Sequence, residues 1–200
     1  KATRWAFCII TERGEAEAWG ATRYGGASIT QAIRSEIEAV VKDMQPKPDD
    51  ARGYVGTRAI TVPGILSLYS NDLSFFLLSQ HEDGRTRAVI VWGMNTHGGA
   101  ITSGVRQALM ASKITGVYCT NGAYGVVTTQ GGVYGAVIVW GATLAMEDAG
   151  EIPEELAEYL SSDVVELYSI KRYPFYQAPP PNPPLIDPSL AARLRDGSYV

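Results

Sequence analysis

Between Gly84 and Met146 the chain carries neither Asp nor Glu. A hard cation needs several converging oxygen ligands. A carboxylate-type metal site would therefore be gathered from residues outside this stretch, such as Glu12, Glu15, Glu36, Glu38 and Asp72. Histidine and cysteine number two each, and none stands at the C-x-x-C or H-x-x-x-H spacing of a zinc site. Cys8 and Cys119 are too few for a disulfide framework. Both fall in apolar runs and read as buried free thiols, which favours an intracellular over a secreted setting. No apolar run reaches the roughly 18 residues of a membrane span, and no signal peptide is visible, so no membrane partner is expected. The net charge of −4 argues against broad electrostatic capture of nucleic acid, while leaving room for a local basic patch.

What is present points to sheet. Residues 88–93 and 136–141 are the same six, Ala-Val-Ile-Val-Trp-Gly. Short continuous runs of β-branched residues are the pattern of strands buried on both faces. Beyond the six residues the copies diverge, to Met94-Asn95-Thr96-His97 and Ala142-Thr143-Leu144-Ala145. The flanks share no period, so the expectation is convergent strand chemistry rather than duplication.

Residues 4–11 and 16–24 predict an antiparallel hairpin across a polar turn. Residues 28–44 place Ile29, Ile33, Ile37, Val40, Val41 and Met44 at helical spacing, with a capping box of Ser28 and Gln31 at the start. Two strand pieces, 60–62 and 65–69, flank a Pro-Gly turn, and 73–79 (LSFFLLS) predicts a short helix capped by the preceding Ser70-Asn71-Asp72. The first repeated strand leads through a Gly-bearing loop to a helix over about 102–112. A meander of three strands spans 114–141, turning at Asn121-Gly122. Pro153 opens another helix, and 164–170 is a last strand. The acidic run Glu147, Asp148, Glu151, Glu154, Glu155 and Glu158 reads as a solvated helix face.

The tail from residue 173 is rich in proline and reads as an extended, stiff arm. Its apolar anchors are Phe175, Tyr176, Leu185 and Ile186. The expected fold is thus α/β or α+β. It has a mixed central sheet, an N-terminal hairpin, three to four helices, one globular domain over 1–172 and a Pro-rich arm over 173–200.

The order hairpin, capped helix, strand, short helix, strand, helix resembles the ribonuclease H fold over about residues 4–112. Residues 33–40 (IRSEIEAV) are similar to the family's first helix, 68–73 (LYSNDL) to a strand end that carries an Asp, and 91–99 (VWGMNTHGG) to a late strand and loop that carry a His. The resemblance implies Glu36, Asp72 and His97 as catalytic residues of a Mg²⁺- or Mn²⁺-dependent nuclease, with nucleic acid as partner. The strict match at the second Asp position is Asn71, and the helix expected to bring a final Asp reads Ser103-Gly104-Val105-Arg106-Gln107. Two-metal catalysis needs carboxylates for both ions, and this set is short of them.

Two further chemistries fit the residues. The loop holding Gly93, Asn95, Thr96, Gly98 and Gly99 precedes a helix, so its amides could cradle an anion, although it matches neither phosphate-binding pattern. Cys119 and His97 could form a nucleophile pair for a small-molecule hydrolase. Outside the nuclease reading, no cofactor or metal is expected. The low-charge middle, the arm and the incomplete catalytic set lead to a first expectation of a non-enzymatic structural or assembly protein. It would form a homo-oligomer or larger assembly, its arm packing on a neighbouring subunit through Phe175, Tyr176, Leu185 and Ile186.

Overall fold

Alternation makes the N-terminal hairpin. Strands β1 (Ala6–Ile10) and β2 (Ala16–Gly20) pair antiparallel, with Ala6 opposite Gly20. Successive side chains point to opposite faces, so Ala6, Cys8 and Ala16 are buried while Phe7, Ile9 and Trp19 are exposed. The computed structural model describes residues 1–11, 13–26, 29–44, 65–130, 133–142, 152, 154–169 and 190–200.

Helix α1 (Gln31–Met44) follows and buries Ile37, Val41 and Met44. Its start differs from the expected capping box. The helix begins at Gln31, and Thr30 Oγ1 accepts the Ile33 amide at 3.3 Å, so Thr30 takes the capping role assigned to Ser28. Ser28 itself, the strand piece 60–62 and the Pro-Gly turn lie outside the described residues.

A second sheet is formed by β3 (Ile65–Ser70), β4 (Ser74–Gln80) and β5 (Thr86–Gly93). Strand β4 corrects the helix expected over 73–79. A continuous run such as Phe75-Phe76-Leu77-Leu78 has no period to separate helix from strand. Here it is the middle strand of three, buried on both faces. A 3₁₀ turn (Asn95–His97) and helix α2 (Ser103–Ala111) come next, and Thr102 Oγ1 caps α2 by accepting the Val105 amide. The expected meander is a third sheet, β6 (Lys113–Cys119), β7 (Ala123–Gln130) and β8 (Val133–Gly141). After a single turn, α3 (Glu154–Ala157), strand β9 (Val164–Ser169) pairs with β10 (Leu190–Leu194) in a fourth sheet.

The fold is broadly α+β. In place of one mixed central sheet the described residues form four small antiparallel sheets. In place of three to four helices they show two longer than one turn, α1 and α2, and the single turn α3. The arm expected over 173–200 ends in β10 and a return at Tyr199 that bridges to Arg193. Residues 170–189 lie outside the described residues.

The four sheets stack in chain order. The first core cluster joins Ala6, Cys8 and Ala16 of the first sheet, Ile37 and Val41 of α1, and Phe75, Leu77, Ile90 and Trp92 of the second sheet. The second joins Phe76, Leu78 and Val89 of the second sheet, Leu109 of α2, and Tyr124, Val126 and Trp140 of the third. The third joins Val127 and Val137 of the third sheet to Val164, Leu167 and Ala192 of the fourth. Each inner sheet is thus apolar on both faces, one serving the unit before it and one the unit after.

This corrects the reading of the six-residue identity. Residues 88–93 and 136–141 close the last strands of the second and third sheets in one register: Ser74 faces Gly93 as Ala123 faces Gly141. Ala6 faces Gly20 in the same way, so Trp19-Gly20 is a third copy of the Trp-Gly end. The repetition is of whole units, as in architectures stacked through neighbouring interfaces.

Candidate functional site

The recurring feature is the joint between successive units. It starts at the turn before the strand that pairs with each unit's last strand, β1, β4 and β7 in turn. Thr3 Oγ1 accepts the amides of Trp5 and Ala6 at 3.3 and 2.9 Å. Asn71 Oδ1 accepts those of Leu73 and Ser74, both at 2.8 Å. Thr120 Oγ1 accepts those of Gly122 and Ala123 at 3.3 and 2.9 Å. Short polar side chains favour such turns because they satisfy the backbone locally. The residue after each cap links the units: the Arg4 amide donates to the Asp72 carbonyl at 2.9 Å, and the Asp72 amide to the Asn121 carbonyl at 3.1 Å.

Across the strands that follow, an aromatic pair recurs. Phe7 stacks with Trp19 at 5.6 Å, Phe75 with Trp92 at 5.3 Å, and Tyr124 with Trp140 at 5.1 Å. Such cross-strand pairs contribute beyond their buried area. In the second and third units the preceding unit covers the pair. Gly25 sits on Phe75 and Gly98 on Tyr124; a Cβ at either glycine would stand 2.7 Å from the ring. Both glycines follow a 3₁₀ turn and have φ of 97° and 88°, a left-handed backbone that glycine takes without penalty. The buried indole N–H groups of Trp92 and Trp140 have no acceptor among the described residues.

The first unit has the same pair, and no described residue of a preceding unit lies over it. Phe7 is 52% exposed and Trp19 51%, against 0% for Phe75 and 4% for Trp140. The position occupied by Ile90 and Ile138 is Glu17 here, and Arg34 holds it with contacts at 2.8 and 3.1 Å. That pairing lowers the Glu17 carboxyl below its usual range.

At the other end the fourth sheet continues the pattern. Its first strand carries Leu167-Tyr168-Ser169, matching Leu68-Tyr69-Ser70 and Val117-Tyr118-Cys119. Tyr69 and Tyr118 pack into the second and third clusters. Tyr168 is exposed beside Tyr199, ring centroids 6.1 Å apart.

The residues singled out in the sequence fall as follows. Glu36 is exposed on α1, with its carboxylate 3.9 Å from Arg106 of α2. Asp72 lies in the β3–β4 turn. His97 ends the 3₁₀ turn and is buried, Nδ1 2.9 Å from Thr96 Oγ1. Its carbonyl accepts from Asn71 Nδ2 and Ser74 Oγ, both at 2.7 Å. It occupies the place of Tyr24 in the first unit: the amides of Tyr24 and Gly26 donate to Ala21, and those of His97 and Gly99 to Met94. In the loop of Gly93, Asn95, Thr96, Gly98 and Gly99, the amides of His97 and Gly99 are thus spent within the turn. Asn95 and Thr96 line a shallow cleft of about 880 Å³ with Ile101, Val105 and Trp140. Cys119 ends β6 beside the second cluster. Among the described residues no three His, Cys, Asp or Glu side chains come together as a metal site. Phe175, Tyr176, Leu185 and Ile186 lie outside the described residues.

Sequence reasoning missed Phe7, Trp19, Gly25 and Tyr168. The signal was present: Trp-Gly, four residues, then Gly-Gly at both 19–26 and 92–99. No helix among the described residues is long and apolar enough to cross a membrane. No known protein family, curated protein or solved structure matches the chain.

Proposed function

We propose that this chain is a non-enzymatic structural protein that works by contact between surfaces and self-associates. The observation that carries the reading is the joint itself. The same cap, ladder and aromatic pair are used at two successive interfaces, and the first copy of the pair is exposed. Repeat proteins bury a continuous core by stacking units, and their end units are ordinarily polar for solubility. An end that keeps the aromatic pair exposed is suited to contact. The Pro-rich segment, with Phe175, Tyr176, Leu185 and Ile186, is proposed as a further contact with a neighbouring subunit.

Light scattering of the full chain tests the reading. Self-association predicts a mass above 21.6 kDa that rises with concentration. A mass of one chain throughout would remove it.

A further inference from the structure

We propose that the association is head-to-tail: the outer face of the first sheet receives the outer face of the fourth sheet of a second copy. The proposal rests on the self-association reading and adds the two faces and their polarity.

Its first support is the internal joint. At two interfaces the face bearing the aromatic pair meets the rear face of the preceding unit. Both kinds of face recur at the ends of the stack without a partner among the described residues. The front carries Phe7, Ile9 and Trp19, with Trp5 on the same alternation. The rear carries Tyr168 and Tyr199, with the Glu166–Arg193 ion pair beside them. These are six of the ten large apolar side chains that the described residues leave exposed. Large apolar side chains gathered at the two ends in this way mark an interaction site, and scattered placement would have put more of them on the flanks of the stack.

The second support is chemical fit. Tyr168 stands where Tyr69 and Tyr118 stand, and those tyrosines face the unit that follows them. Phe7 and Trp19 stand where Phe75–Trp92 and Tyr124–Trp140 receive the unit before. Glu17 is already held by Arg34, so it brings no unpaired carboxylate into the contact. The two faces are different surfaces, so the contact is heterologous. It extends into longer chains unless the rotation per copy closes a ring.

Sedimentation velocity of the full chain and two variants tests this. Trp19→Glu blocks the front and Tyr168→Glu the rear. Both sites are exposed, and melting curves confirm that each variant folds; Phe7→Ser and Tyr199→Ser are substitutes if one does not. The wild type should form multiples of one chain as concentration rises. Each variant alone should associate at least about thirtyfold more weakly, the loss expected when an aromatic hot spot is removed. An equimolar mixture should give complexes of two chains and nothing larger, because one intact front meets one intact rear.

An oligomer that neither substitution weakens would leave self-association standing and overturn this joint. A mixture that forms no more complex than the separate variants would also overturn it, in favour of a symmetric contact. A monomer at every concentration would overturn both readings. A monomeric wild type that associates once Phe175 and Tyr176 are changed to Ser would assign the front face to the chain's own tail and overturn the second copy as occupant.

Discussion

Gly98 lies so close to the Tyr124 ring that a Cβ there would stand 2.7 Å from it, at a φ of 88°. Alanine at this position meets two penalties, left-handed backbone strain of about 1–2 kcal/mol and overpacking of about 1–3 kcal/mol. Gly98→Ala should therefore lower the melting temperature by about 5–15 °C in a chain of this size. Gly104, in the first turn of α2, has open space around it, and Gly104→Ala should be neutral or stabilising by up to about 1 kcal/mol. Calorimetry of the two variants checks the contrast. Equal effects would mean that the glycine at the joint is not special.

The aromatic pairs should differ in their cost to folding. Trp140→Ala empties a buried site and should cost about 3–5 kcal/mol. Trp19→Ala removes a half-exposed ring stacked on Phe7 and should cost about 1 kcal/mol, while weakening association. Urea unfolding at a concentration where both variants are monomeric separates the two effects.

Asn71 is the cap that bonds through both ends of a side-chain amide. Its Oδ1 accepts two amides and lies 3.0 Å from the Ser74 hydroxyl oxygen, and its Nδ2 donates to the His97 carbonyl. Asn71→Ala leaves buried donors unmet and should cost about 2–4 kcal/mol. Asn71→Thr restores the hydroxyl geometry seen at Thr3 and Thr120 and should recover part of that loss. The difference, read from denaturant midpoints, tests whether the three caps are interchangeable. An Asn71→Thr variant no better than Asn71→Ala would show that they are not.

Alkaline pH should weaken the first joint. Cys8 is fully buried. Burial pushes its thiol up to about 11, against a smaller pull from the N-terminal amine and Arg34. In the unfolded chain the thiol ionises near 8.5, as free cysteine does. The folded state therefore holds the proton longer. Its contribution is intact below about pH 8.5 and is lost as pH rises through about 11, on the order of 3 kcal/mol by linkage. Urea unfolding between pH 8 and 10.5 should show this loss in the wild type and not in Cys8→Ala. Parallel curves would remove Cys8 as the cause.

The hairpin, α1, α2 and the three-stranded meander were legible because a period or a turn dipeptide marks each of them. Strand β4 was not, because Phe75-Phe76-Leu77-Leu78 is apolar on both faces and carries no period. The stack was hidden for a different reason. Identity was sought over six residues, whereas the unit is defined by a few separated positions. These are a polar cap such as Asn71, an aromatic such as Phe75, a Trp-Gly end, and a glycine such as Gly98. The loops between them vary in length, and the third unit lacks the Gly-Gly that 25–26 and 98–99 carry. The exposure of Phe7 and Trp19 could not be read at all: a strand of this composition gives no sign of which face has a neighbour.

The account depends on a joint used twice inside the chain and left open at its first copy, and iodide quenching of tryptophan fluorescence across a dilution series tests that most directly. In dilute solution iodide should reach Trp5 and Trp19 and spare Trp92 and Trp140, and Trp19 should become shielded as concentration rises. Equal access to all four tryptophans on dilution would contradict the stacked joints. Unchanged access to Trp19 at every concentration would contradict its use between copies.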